Sequence, residues 1–412
     1  MVVVSGSVSL EGLLAAVSGG GASCAVVSTE LCPSAGWHAA ISPAVFPGAK
    51  RDDPPRYAFE KRFWGEDLRY VVLVDGKASQ LNRVEAAQQR ALEDGDSLLA
   101  RVPRIVVSYE REDGLEEFSD WTLPHRAFDG HIRAGRVKGT PVTQTEQYRA
   151  VRNASPRNAR ALLETSPATL VYGGWDASRR TRQGRWPSAL VGEIIGFCLD
   201  DEPALKGGGR ADPVAAQVNV AQNELTVMLG EQEAELGPKP AKTISEKVAK
   251  AKKGEPVSAS PLGLGAVPPT LGQLAGVACE RIVRSQVLSF ATLRQIRFGA
   301  GVEGDAACRA LLAAFALDGL ARANAELFLR ANCNLTEVSP AVLTLDGRGG
   351  GDVELAVPSV DEAAGLLAAA LKHAESVAGV RWNGVAMKVT GNQAVIAGAV
   401  DAEEAGAGEA GA

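Results

Sequence analysis

The chain has 412 residues with a formal net charge of -6 and 46% apolar side chains, enough to build a core of one large domain with insertions. Its longest apolar runs, 311–316 and 364–371, are Ala-rich and short of the ~20 residues that span a bilayer, and the first residues carry no basic and apolar leader, so a cytoplasmic protein is expected. Cys24, Cys32, Cys198, Cys279, Cys308 and Cys333 and the four histidines are scattered without metal-ligand or redox spacing, which predicts reduced cysteines, no metal and no cofactor.

In chain order, the β-branched runs 23–32 and 70–74 predict strands separated by a Pro/Gly-rich loop over 42–56. The stretch 79–93 is rich in helix formers and opens on Ser79, a residue able to cap, and 104–109 reads as a further strand. Strand, helix and strand in so short a span suggest a split βαβ unit of the ferredoxin-like or RRM-like kind, hence an α+β fold. A helix is predicted at 187–199. The Lys-, Ala-, Pro- and Gly-rich segment 235–269, with lysines clustered between 239 and 253, reads as an insertion or flexible arm.

Beyond it, 271–284 and 305–320 read as helices, with an apolar run near 287–296. Segments 326–335, 341–345, 353–357 and 386–396 read as strands, 360–378 as a helix, and 401–412 as an acidic disordered tail. The expected plan is one domain over 1–400, with 110–165 and 235–270 as inserted or flexible segments.

Charge is unevenly spread. Positions 132–160 carry seven Lys or Arg and one Glu, and 179–186 carries four Arg and no acid, whereas 301–412 holds 7 basic against 15 acidic side chains. The basic stretches are candidate phosphate-binding surfaces. No nucleophile elbow, P-loop or assembled triad is present: the Gly-rich points 19–21, 207–209 and 349–351 lack the flanking strand and Lys-Ser/Thr that grip a phosphate, and Asp52/Asp53 and Asp200/Asp201 read as turn residues.

Three segments carry more specific chemistry. Ser79, Gln80, Asn82 and Arg83 gather amides, a hydroxyl and a cation at the start of a helix, where backbone N–H groups favour an anion. Trp121, His125 and Arg126 place an aromatic and a cationic pair just ahead of the basic stretch. From Leu170 an apolar strand is expected to run into the Gly173-Gly174 turn and present Trp175, Arg179 and Arg180, a set suited to stacked bases and phosphates.

These residues resemble a known family, the Csb-type backbone subunit of type I-G (formerly I-U) CRISPR Cascade complexes, a RAMP protein of the Cas-seven superfamily. Ser79-Gln80-Leu81-Asn82-Arg83-Val84-Glu85 looks like its Ser-Gln-Ala-Asn-Arg-x-Glu, and Pro124-His125-Arg126-Ala127-Phe128-Asp129 like its Ala-His-Arg-x-x-Asp. Residues 170–178 are similar to its apolar-Gly-x-Trp-Asp-Ser segment, and Leu329-Arg330-Ala331-Asn332-Cys333-Asn334-Leu335 to its Leu-Arg-Ser-x-Cys-Asp-Leu. Pro124 and Asn334 depart from the pattern.

The resemblance implies an RRM-like palm with inserted thumb and finger segments, stacked in many copies along one guide RNA. It also implies target DNA bound through the guide, and large-subunit, repeat-processing and helicase-nuclease partners. On this reading the chain is not an enzyme; Lys50, Arg51, Ser79, Gln80, Asn82, Arg83, His125, Arg126, Arg133, Arg136, Trp175, Arg179 and Arg180 contact RNA, chiefly its phosphates. The alternative is a RAMP-family endoribonuclease acting on target or guide RNA, with His125 as acid/base and Asp129 or Asp176 as the carboxylate.

Overall fold

The computed structural model describes residues 6–48, 55–111, 114–181, 183–232, 236–252 and 254–399. The chain divides into two compact units. The larger comprises Met1–Val45, Tyr57–Asp201 and Ala278–Ala399, and the smaller is built mainly from Glu202–Val277.

The strands are β1 (Cys24–Pro33), β2 (Phe59–Trp64), β3 (Asp67–Asp75), β4 (Arg104–Arg111), β5 (Gly114–Ser119), β6 (Arg136–Val137), β7 (Thr140–Pro141), β8 (Gly174–Trp175), β9 (Arg185–Trp186) and β10 (Leu190–Cys198). They continue as β11 (Leu205–Arg210), β12 (Asn219–Ala221), β13 (Pro256–Ser258), β14 (Val267–Leu274), β15 (Arg281–Ser289), β16 (Leu335–Glu337), β17 (Val342–Leu345), β18 (Val353–Ala356) and β19 (Val385–Thr390). The helices are α1 (Leu10–Val17), α2 (Lys77–Glu93), α3 (Gly130–Ala134), α4 (Glu146–Asn153), α5 (Arg160–Leu163), α6 (Pro167–Tyr172), α7 (Gln222–Glu231), α8 (Pro238–Lys250), α9 (Phe290–Arg294), α10 (Gly301–Glu326), α11 (Val360–Ala378) and α12 (Gln393–Ala397).

The result is a mixed α/β fold with largely antiparallel sheets. In the larger unit an eight-stranded antiparallel sheet runs β18-β17-β1-β15-β10-β3-β2, with β16 beside the end of β1. The β1/β15 register pairs Cys24 with Ser289 and Leu31 with Ile282. A second sheet runs β5-β4-β19-β6-β7, joined by a parallel β4/β19 pairing.

Helix α10 lies at the centre of the larger unit, with α2, α11 and α1 packed against it. Its residues from Gly304 to Ala321 are nearly all buried, so it is apolar all round rather than striped. Phe315 on this helix meets Trp121, Tyr172 and Trp382 at ring centroid distances of 5.8 to 6.0 Å. Gly319 is required where α10 crosses α2. A Cβ there would lie 2.6 Å from Val84 Cγ1 and 2.8 Å from the Tyr172 hydroxyl.

Several expectations are met: β1, β3, α2, β4, α10, β17, β18 and α11 fall where the sequence puts them, α11 over 360–378 with a Ser359/Glu362 capping box. Others are corrected. β3 and β4, which flank α2, lie in different sheets, so they do not form the expected βαβ unit. Segment 187–199 holds strand β10 (Leu190–Cys198), not a helix; it sits between β3 and β15, and the β-branched Val191, Ile194 and Ile195 with burial that alternates from Leu190 to Ile195 fit a strand rather than a helical stripe. Residues from Leu170 finish helix α6 before Gly173 rather than forming a strand.

Segment 271–284 is the end of β14 and the start of β15, not a helix, and 287–296 finishes β15 and forms α9. The expected strand 326–335 is the end of α10 and a loop, and 386–396 splits into β19 and α12. Ser79 does not cap α2; the cap is Gly76, with no side-chain bond.

Within the smaller unit the segment 235–269, read from the sequence as an insertion or flexible arm, contributes α8, β13 and the start of β14. Leu225, Ile244, Val257 and Ala259 form a small core there, and β12/β13 and β11/β14 pair as antiparallel ladders. The 401–412 tail lies outside the described residues.

Candidate nucleic-acid interface

The first and fourth motif segments meet on a carboxylate that belongs to none of the motifs. Asp75 ends β3 with its side chain fully buried. It accepts hydrogen bonds from Ser79 Oγ (2.9 Å), Gln80 Nε2 (2.6 Å) and Arg83 Nε (3.0 Å) and Nη2 (3.2 Å). Arg330 Nη2 donates to the same carboxylate while its Nη1 donates to the Val74 carbonyl at 2.6 Å. Burial alone would push the Asp75 pKa up, but the bonds from Arg83, Gln80 and Ser79 outweigh it and hold the carboxyl below its usual value.

A second knot joins the other segments. Glu85, buried on α2, takes both arms of Arg126 at 2.6 and 2.5 Å, and Arg126 Nη1 donates to the Gly173 carbonyl at 3.1 Å. Burial outweighs the Arg126 bonds and raises the Glu85 pKa. Gly173 has φ +88°, and a Cβ there would stand 2.7 Å from Ser188 Oγ and 2.9 Å from the Trp186 carbonyl, so only glycine fits.

Asp129 and Asp176 are buried and engaged. Asp129 caps α3, accepting from His131 N at 2.9 Å and from His125 N at 3.1 Å. Asp176 holds Arg152 through two bonds of 2.7 and 2.8 Å. Arg133 donates to the Phe128 carbonyl and to Ser178 Oγ, and Arg179 donates to the Arg152 carbonyl at 2.5 Å and Asn153 Oδ1 at 2.6 Å.

The thirteen expected contact residues thus separate by environment. Ser79, Gln80, Arg83 and Arg126 are tied to Asp75 and Glu85 and so shape the surface more than they offer charge to it, whereas Arg133 and Arg179 bond backbone carbonyls and neutral side chains, which hold them in place without cancelling their charge. Asn82, His125, Arg136, Trp175 and Arg180 are exposed. Lys50 and Arg51 lie outside the described residues. Arg149, Arg157 and Arg185, which the sequence flags only as parts of its basic stretches, are exposed as well; Lys77, also exposed, is a single cation without a patterned neighbourhood and gives no motif to catch.

Two concavities border these residues. A groove of about 680 Å³ is lined by Lys77, Asn82, Glu85, Thr122, Pro124 and Arg126, so it lies where the first two segments meet. A second, of about 550 Å³, is lined by Arg152, Asn153, Arg179, Gly184, Arg185 and Trp186 among others. Among the described residues, no group of three His, Cys, Asp or Glu side chains could hold a metal, none of the six cysteines is in a disulfide, and no helix is long and apolar enough to cross a membrane.

No curated protein matches the chain. Residues 25–200 match the model of a family described as CRISPR-associated protein GSU0053, a stretch holding three of the four motif segments and both concavities. Over that stretch the chain is therefore similar to a CRISPR-associated protein family.

Proposed function

We propose that the chain is a guide-RNA-binding backbone subunit of a type I CRISPR effector complex, of the Csb-type branch found in type I-G systems. The observation that carries this reading is where the charges of residues 125–185 sit. That stretch holds twelve Lys or Arg and four Asp or Glu. Of the four acids, Asp129 and Asp176 are buried and Glu164 pairs with Arg160 at 2.7 Å, while Arg136, Lys138, Arg149, Arg157, Arg180 and Arg185 face solvent. With two acids turned inward and a third paired, Glu146 is the one exposed acid set against these six outward cations, a surface for a polyanion.

On this reading the eight-stranded sheet with α2 is the RRM-like palm and the exposed cations hold guide phosphates. Successive copies follow the guide strand, while base pairing reads the target DNA. The other Cascade subunits, the large one and the repeat-processing one, are its partners. The ribonuclease reading has less support, since Asp129 and Asp176 are engaged by backbone N–H groups and by Arg152, and neither forms a pair with His125 beyond its backbone nitrogen.

The test is binding of a guide-length RNA to the purified chain across a salt series. Replacing Arg136, Arg149 and Arg180 together by Glu should lower affinity at least tenfold for every guide sequence and flatten the log affinity against log salt line by about 2, at about 0.7 per lost single-strand phosphate contact. An unchanged slope would remove these residues from the interface.

A further inference from the structure

The 550 Å³ concavity bordered by β9 has features that a backbone-phosphate surface alone does not require. Arg152, Arg179 and Arg185 line it, and none of its lining residues carries a carboxylate. Arg152 is already balanced by Asp176, which leaves the charges of Arg179 and Arg185 to the cavity. Arg179 is held in place through the Arg152 carbonyl and Asn153, and Gln183 Nε2 pins the loop by donating to the carbonyls of Ala177 (2.9 Å) and Arg179 (2.8 Å). The cations therefore come preorganised rather than on free side chains.

Trp186 lines the same cavity, is only 5% exposed, and its indole N–H has no hydrogen-bond partner. A buried donor without an acceptor is costly, and one that lines a cavity calls for an acceptor supplied from outside. Gly184 also lines the cavity, and the position its Cβ would take lies 3.4 Å from that indole nitrogen, so any side chain at 184 would crowd it further.

The β8/β9 ladder adds an aromatic platform. It sets Trp175 opposite Arg185, whose guanidinium lies 4.7 Å from the Trp175 ring centroid, yet Trp175 remains 47% exposed. Arg185 thus belongs both to the cavity and to the aromatic stack.

We propose that this cavity binds one nucleotide unit of single-stranded RNA: its base stacks against the Trp175–Arg185 pair, its phosphate meets Arg179 and Arg185, and an oxygen of the nucleotide accepts from the Trp186 indole N–H. This deepens the RNA-binding reading above, on which it rests for its choice of ligand. Stacking on an aromatic face and a charged clamp on the phosphate are tolerant of base identity, so the site should hold the strand without selecting its sequence.

The test follows the tryptophan indole N–H resonances of the full chain by NMR during titration with uridine 5′-monophosphate, hexauridylate and inorganic phosphate. The Trp175 and Trp186 resonances, assigned from Trp175→Leu and Trp186→Phe, should move with both nucleotide probes and not with phosphate at the same concentration. Arg185→Ala and Trp175→Leu should each weaken hexauridylate binding at this site about tenfold, read at the Trp186 resonance. If phosphate alone reproduces the shifts, or neither indole responds to any probe, the inference is overturned. Guide-length RNA bound with both indoles silent would sink this site and leave the proposed function standing; indoles that answer the nucleotides in a chain that retains no guide RNA would do the reverse.

Discussion

Asp75 is the residue on which most depends. It is fully buried and serves two arginines, so removing it leaves two guanidinium groups short of an acceptor. Asp75→Ala should cost about 3–5 kcal/mol in urea unfolding, the usual scale for breaking a buried ion pair from one side. Its pKa is held below the ordinary carboxylate value, so its contribution is complete above that ordinary value and is lost as pH falls through the lower folded one.

Asp120 behaves with the opposite sign. It is buried with Oδ2 unpartnered, and burial pushes its pKa up to about 7, although Ser166 and the Ile105 N–H bond to it. The protonated form is favoured in the fold, so its contribution is present at acid pH, below its unfolded value near 4, and is lost as pH rises through about 7. Asp120→Asn should therefore be stabilising by about 1.5 kcal/mol at pH 5 and by up to about 4 kcal/mol at pH 9, at about 1.4 kcal/mol for each pH unit passed between the unfolded and folded values. Equal unfolding midpoints for mutant and wild type at both pH values would contradict that assignment.

At the scale of elements, the α2–α10–α6 contact is the least tolerant of change. Tyr172 donates to Gln88 Oε1 at 2.6 Å, Gln88 Nε2 donates to Asp318 Oδ2 at 3.1 Å, and Gly319 gives the Tyr172 hydroxyl room. Gly319→Val should destabilise by about 2–3 kcal/mol by overpacking, measured by thermal or urea unfolding, with no change in helix content of the folded state.

The same scale shows what the sequence can and cannot convey. Capped elements such as α11, and strands such as β1 whose burial alternates along a β-branched run, are legible from local pattern. β10 is less so, although its burial alternates from Leu190 to Ile195, because Gly192, Glu193 and Gly196 interrupt the β-branched run that announces a strand. The lysine-rich stretch reads as an arm because α8 buries only a few side chains, Ile244 among them, and its packing against Leu225 and Val257 is a matter of the fold rather than of local pattern.

For the whole molecule, the net charge misleads and its distribution informs. The motif segments are visible in the sequence, but not that their cations divide between structure and surface. Arg83 and Arg126 look alike in sequence to Arg136 and Arg180; only burial beside Asp75 and Glu85 distinguishes them. Accordingly, Arg126→Ala should lower stability by about 3 kcal/mol or more in urea unfolding, since it strands the buried Glu85. Arg180→Ala should leave stability within about 0.5 kcal/mol and act on RNA affinity alone.

The matched stretch 25–200 ends well before Arg330, yet Arg330 closes the Asp75 knot from outside it, so the geometry of the site depends on chain far beyond that stretch.

The most direct measurement is co-expression of the chain with a CRISPR array and its genomic neighbours, followed by purification and sequencing of the RNA that stays bound. The account predicts a large particle retaining discrete guide-length RNA; a monomer free of RNA would contradict it.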